Sequence, residues 1–171
     1  MAKTAYIKGY ASALACHEAV LQQIIDEAVR CGRKVAVSGR SMINVVSVAE
    51  ELGYLNVPKD VLIDIDMIKN YSPDELVIVT TGSQGEPLSA LHRIAFSDHR
   101  QVEIIPGDMI IISANPIPGN EKLVSKVVNE LIKRGANVVY ERMYDVHVSG
   151  HACREELKLM MSIVKPKYFI P

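Results

Sequence analysis

Glu75-Leu76-Val77-Ile78-Val79-Thr80 runs directly into Thr81-Gly82-Ser83-Gln84-Gly85-Glu86-Pro87. A continuous apolar run of this length reads as a strand buried on both faces of a sheet, the pattern of parallel sheets covered by helices on either side. Pro87 suits the first turn of a following helix, with Leu88, Leu91, Ile94 and Ala95 on one face. Between strand and helix, Gly82 and Gly85 let the backbone approach a ligand, and Ser83 and Gln84 offer donors ahead of the expected helix N-terminus. The loop has neither the lysine ending of a Walker loop nor G-x-G-x-x-G spacing. A plain strand-to-helix turn is the competing reading.

The same unit recurs on both sides of this stretch. Upstream, residues 4–9 read as a first strand, and Leu14, Leu21, Ile24, Ile25 and Ala28 recur at helical spacing before Gly32. Lys34 to Ser38 is a short buried strand, Gly39-Arg40-Ser41 turns the chain, and Met42, Val45, Val46, Ala49 and Leu52 stripe a second helix. Residues 54–71 are irregular, with a turn at Pro58 to Asp60 and a short amphipathic helix. Downstream, Met109 to Ser113 repeats the strand pattern and 115–120 is its loop. Leu123, Val124, Val127, Val128, Leu131 and Ile132 make a helix closed by Gly135. Asn137 to Tyr140 is a last strand, and residues 154–164 a last helix. The expectation is a three-layer α/β fold, a mainly parallel sheet with helices on both faces. It forms one domain over residues 1–171, with residues 1–10 read as in part foreign to it. Loops after parallel strands gather along one sheet edge, so 39–41, 81–86, 113–120 and 146–151 should face one crevice.

With 171 residues and a formal net charge of -1, the chain can bury one sizeable core but lacks the basic balance of a free-standing nucleic-acid binder. No apolar run approaches the roughly 20 residues of a membrane span. Cys16, Cys31 and Cys153 are odd in number and lack metal spacing, which suits reduced thiols of a cytoplasmic protein.

The stretch 145–152 puts His147, Ser149, Gly150 and His151 between the last strand and the last helix, where free backbone N–H groups and a helix dipole favour an anion. A surface turn with solvated histidines is the alternative. The histidines straddle Ser149-Gly150 instead of sharing a helix face, and no cysteine or carboxylate cluster completes a zinc set. Arg40, with Ser41 beside it, is either an anion partner at the crevice mouth or a solvated surface arginine. Glu86 reads better as a charge at the positive end of its helix than as a nucleotide acceptor. His17, His92 and His99 read as exposed or hydrogen-bonded structural histidines.

Taken together, Gly39-Arg40-Ser41-Met42, residues 80–87, Pro106-Gly107-Asp108 with 117–120, residues 147–151 and Lys165-Pro166-Lys167-Tyr168-Phe169-Ile170-Pro171 resemble the β-CASP region of ribonuclease J, in the metallo-β-lactamase-fold nucleases. The resemblance runs from about Gly32 to Pro171. It implies a Rossmann-like β-CASP domain that clamps RNA over a two-zinc site of a metallo-β-lactamase core. The family degrades RNA from a 5′-monophosphate end, 5′→3′, and also cuts internally. By the resemblance, His151 reaches the scissile phosphate, and His147, Ser149 and Gly150 form the adjoining phosphate-binding turn. Ser83, Gln84 and Gly85 match the loop that helps hold the 5′-terminal nucleotide.

Two departures from the family pattern bear on this. The zinc-binding His-x-His-x-Asp-His motif is absent, and the sequence stops before the family's His-Gly-Glu segment. Tyr10-Ala11-Ser12 matches Phe-Ala-Ser, but the Asn and Arg expected after it give way to the longer segment 13–19. The sequence therefore reads as a domain without its catalytic core: zinc ligands lie outside this chain, no metal is expected in it, and no cleavage is expected of it alone. Its expected partners are RNA with a 5′-monophosphate end, its own metallo-β-lactamase core and a further copy of itself, with no membrane. A free-standing phosphate- or nucleotide-binding module and a non-catalytic scaffold stand as alternatives.

Overall fold

The computed structural model describes residues 4–8, 14–114, 116–140 and 152–168. Among the described residues six strands form one sheet: β1 (Thr4–Lys8), β2 (Lys34–Ser38), β3 (Leu62–Ile63), β4 (Leu76–Thr80), β5 (Met109–Ser113) and β6 (Asn137–Tyr140). Their spatial order is β3-β2-β4-β1-β5-β6, and every pairing is parallel. The helices are α1 (Leu14–Arg30), α2 (Arg40–Glu51), α3 (Ala90–Ala95), α4 (Glu121–Lys133) and α5 (Arg154–Val164).

The apolar runs explain the layers. Side chains alternate across a strand, so β2 and β4 supply both faces. Val35, Val37, Val77 and Val79 pack with Leu21, Ile25 and Ala28 of α1 and Met42, Val46 and Ala49 of α2. On the opposite face, Ala36, Leu76 and Ile78 meet Ile68 of a 3-10 turn (Ile65–Asn70), Ile94 of α3 and Val102. Further along that face, Ile110 and Ile112 of β5 pack under Leu91 and Ala95 of α3 and Val124, Val127, Val128 and Leu131 of α4. This is the three-layer α/β arrangement that the sequence implies, with all crossovers joining parallel strands.

Four details differ from the sequence reading. The irregular stretch 54–71 contains β3, a two-residue strand that exists because Val35 and Ala36 pair with Leu62 and Ile63. The apolar stripes are narrower than expected, because Leu52 has already left α2 and is 64% exposed, and Leu123 and Ile132 lie on the outer side of α4. The helix after β4 is short: α3 begins at Ala90, with the Ser89 hydroxyl accepting from His92 N–H at 3.3 Å. Pro87 is outside it, and Leu88 sits at φ 70 and is 83% exposed instead of joining the helix face. Two helix-start signals compete here, and the serine cap, which satisfies an orphan donor, wins over proline, which merely tolerates the position. Finally, α5 forms where its periodicity puts it, with Glu156 bonding back to the Cys153 N–H, but none of its residues is buried.

Candidate functional site

β2 ends at buried Ser38, and Gly39 turns the chain at φ 105 straight into α2. Ile43 N–H makes the first helical bond, to the Gly39 carbonyl at 3.0 Å, and no side chain caps this end. The N–H groups of Arg40, Ser41 and Met42 therefore have no partner within the helix, and α2, 12 residues long, points its positive end at the sheet edge. Arg40 is exposed there and Ser41 half-buried. The turn touches the loop after β4: a Cβ on Gly39 would lie 2.9 Å from Thr81 Oγ1.

The loop after β4 is held from both sides. Leu91 N–H donates to the Thr81 carbonyl at 3.1 Å, and Gly85 N–H closes a turn onto the Gly82 carbonyl at 3.1 Å. Gly85, at φ 71, lies against the backbone of α4, where a Cβ would come 2.6 Å from the Leu123 carbonyl carbon. Gln84 Oε1 accepts from Ile117 N–H at 2.8 Å and from Asn120 Nδ2 at 3.5 Å, tying this loop to the one after β5. The loops after β2, β4 and β5 thus form one continuous rim at the carboxyl edge of the sheet, where ligands bind in folds of this class.

Gly82, Ser83, Gln84 and Gly85 are all buried in this rim, and Glu86 is exposed. Because α3 starts only at Ala90, with its first turn capped by Ser89, the loop does not lead straight into the helix that follows it, and Glu86 lies ahead of that helix; the N-terminal turn that the loop does touch is that of α4, at Leu123 and Val124. The carbonyl end of Gln84 braces the neighbouring loop. Ser83 stands apart. It is 3% exposed, and its enclosed Oγ has no hydrogen-bond partner among the described residues. An enclosed hydroxyl without a partner is costly, so such a group in a native fold calls for a functional reason.

His99, which the sequence marks only as a structural histidine, is hydrogen-bonded as that reading has it, but to a partner 61 residues away: its Nε2 lies 3.0 Å from Ser38 Oγ. No local signal could have paired them. Burial, aided by the Arg93 guanidinium, pushes the His99 imidazole below its usual range. The unfolded chain therefore takes up this proton more readily than the folded one. The stability that His99 confers is complete above its unfolded value of about 6.5 and is lost as pH falls from there through the lowered folded value. Denaturant midpoints should decline over that window in the native chain and less so in His99→Gln. The exposed carboxylate of Glu75, held low by the Ser72 hydroxyl, acts only at more acid pH.

The residues His147, Ser149, Gly150 and His151 lie outside the described residues. Among the described residues no three His, Cys, Asp or Glu side chains gather to hold a metal ion, and no helix is long and apolar enough to cross a membrane.

Residues 10–131 match the family model described as "Ribonuclease J, beta-CASP domain". The chain belongs to the ribonuclease J family. Residues 135–171 match a second description, "Zn-dependent metallo-hydrolase RNA specificity domain". Ribonuclease J of Helicobacter pylori is 49% identical over 149 residues, covering 87% of this chain and 22% of that protein. Ribonuclease J of Thermus thermophilus is 46% identical over 162 residues, covering 95% of this chain and 28% of that protein. The enzyme of the same name from Mycobacterium tuberculosis is 46% identical over 151 residues, 88% of this chain and 27% of its own length. The chain thus spans little more than a quarter of these relatives at most. The ribonuclease J β-CASP match takes in α2, β4, α3 and β5, and hence the whole described rim; the second match takes in β6 and α5.

Proposed function

We propose that this chain is the RNA-holding β-CASP unit of a ribonuclease, and that the rim formed by the turn after β2 and the loop after β4 binds the phosphate and nucleotide at a 5′-monophosphate end. The observation that carries the reading is the enclosed Ser83 hydroxyl, without a partner among the described residues and set in a loop immobilised by Gly85 and Gln84. A rigid loop with one free hydrogen-bonding group is suited to a phosphate or ribose oxygen, since no ordering cost falls on binding. The open end of α2 and the exposed Arg40 add favourable potential for an anion.

The intact enzyme cleaves RNA in this reading, by exonucleolytic degradation from the 5′ end and by internal cuts. His151 reaches the scissile phosphate, and His147, Ser149 and Gly150 hold the adjacent one. The metal chemistry belongs to a metallo-β-lactamase core whose zinc ligands are outside this chain, so this polypeptide alone does not cleave. One feature of α5 suits a partner of that kind: Leu157, Met160, Met161 and Val164 lie at helical spacing, all exposed, an apolar side suited to packing against the rest of the enzyme.

The test is a titration of the chain with a nucleoside 5′-monophosphate, followed by amide shifts, in the native sequence and in Ser83→Ala. Shifts at residues 40–42 and 82–85 are expected. Ser83→Ala should weaken binding roughly tenfold, the worth of one hydrogen bond to a charged group. Its denaturation midpoint should hold or rise, because the hydroxyl it removes has no partner among the described residues. A variant that binds normally and is destabilised would show that Ser83 serves the fold alone, and the reading would fall.

A further inference from the structure

Ser38 is the last residue of β2, and its hydroxyl lies 3.0 Å from Nε2 of His99, in the segment between α3 and β5. The other ring nitrogen, Nδ1, faces two backbone donors, Gln101 N–H at 3.3 Å and Val102 N–H at 3.2 Å. A nitrogen that accepts from N–H groups carries no proton of its own. The imidazole is therefore the neutral tautomer protonated at Nε2, and it donates to Ser38. This direction also rules out a nucleophilic pair, because an Nε2 that bears hydrogen cannot take the serine proton.

The segment that carries His99 is firmly held. Val102 is 4% exposed in the core beside Ile68 and Ile78, and Gln101 Nε2 donates to Asp66 Oδ1 at 2.9 Å. The segment that receives the bond is held at its two ends, by the pairing of Ser38 with Thr80 in the sheet and by Met42, 2% exposed in the core. Gly39 has no side chain, and no side chain caps the first turn of α2. The direction in which Arg40 and the N–H groups of this turn point follows from the backbone at Ser38 and Gly39, and the His99 bond adds a side-chain tether there from the opposite layer.

We propose that His99 is a positioning residue for the open end of α2, acting through its Nε2–H bond to Ser38 to hold the Ser38–Gly39 turn. The mechanical part of this stands by itself; its consequence for ligand affinity rests on the reading of that turn as part of an anion site.

Two variants separate positioning from local structure. In His99→Asn, the amide oxygen can stand where Nδ1 stands and keep the bonds to Gln101 and Val102, but the side chain ends short of Ser38. In His99→Gln, the amide nitrogen reaches the Nε2 position and can donate to Ser38. Amide exchange at Ile43 and Asn44, the first bonded turn of α2, and nucleoside 5′-monophosphate affinity are measured in both, in Ser38→Ala and in the double variant. His99→Asn is expected to speed exchange and to weaken binding, each by roughly tenfold, as loss of one hydrogen bond implies. Ser38→Ala should match it, the double variant should add nothing, and His99→Gln should restore both. A folded His99→Asn with native exchange at Ile43 and Asn44 overturns the proposal, as does equal loss in His99→Asn and His99→Gln. If the native chain binds no nucleotide at millimolar concentration, the anion reading fails, while the exchange data still decide the positioning role.

Discussion

Gly85→Ala is expected to destabilise the chain by about 3 kcal/mol or more, or to displace the loop after β4 outright. The new methyl carbon would lie 2.6 Å from the Leu123 carbonyl carbon, 2.7 Å from its oxygen and 2.9 Å from Val124 N. All three are backbone atoms of α4, so no rotamer change relieves the clash. The residue also sits at φ 71, a conformation that costs an alanine about 1 kcal/mol even in open space. Because Gln84 is the preceding residue and braces the loop after β5, moving Gly85 should also break the bond to Ile117 N–H. Urea denaturation of the variant and amide shifts at residues 82–85 and 117–124 would measure both effects. By contrast, a Cβ on Gly53 meets nothing within 4 Å, so Gly53→Ala carries only the cost of its φ of 75 and should be far milder. Equal midpoints for the two variants would mean that the loop is not seated against α4.

Leu131→Ala is expected to cost about 3 to 4 kcal/mol, within the range for a leucine removed from a closed core. Leu131 is 0% exposed and lies in the cluster of Leu91, Ala95, Ile110, Ile112, Val127 and Ala136, where α4 meets both α3 and the sheet. Its backbone is committed as well, the carbonyl accepting from Ala136 N–H at 3.1 Å, so the surroundings can collapse only partly into the space left. The neighbouring Ile132 is 52% exposed on the outer side of the same helix, and Ile132→Ala should change stability by less than about 1 kcal/mol. Comparing the two midpoints under identical conditions tests the orientation of α4 directly; similar losses would mean that α4 is rotated from the position described.

Both variants act through the elements that shape the rim. Gly85 seats the loop after β4 on the helix that Leu131 anchors, and Gln84 joins it to the following loop. Losses of nucleotide affinity in Gly85→Ala should therefore accompany its loss of stability, whereas Ser83→Ala should separate the two.

Much of this fold is legible in the sequence because the signals involved are local. An apolar run such as 76–80 must be buried on both sides, and only a covered parallel sheet does that economically. Val124, Val127, Val128 and Leu131 repeat at the helical period, so the inner face of α4 is readable too. Several family motifs in order carry the resemblance to ribonuclease J, and the family match over residues 10–131 agrees with it. Competing local signals are harder to rank: Pro87 and Ser89 both announce a helix start, and the Ser89 cap on His92 N–H, together with packing at Leu91 and Ala95, favours the second.

The tertiary structure alone decided which groups meet. That Gln84 braces Ile117, that Gly85 rests on α4, that Ser83 is enclosed with no partner among the described residues and that His99 reaches Ser38 all depend on strand order, which brings distant residues to one edge of the sheet. Periodicity records how a residue faces its own helix or strand and carries no information on what stands across from it. A hydrogen bond, whose strength falls away within a few tenths of an ångström, is settled only when both of its ends are in place.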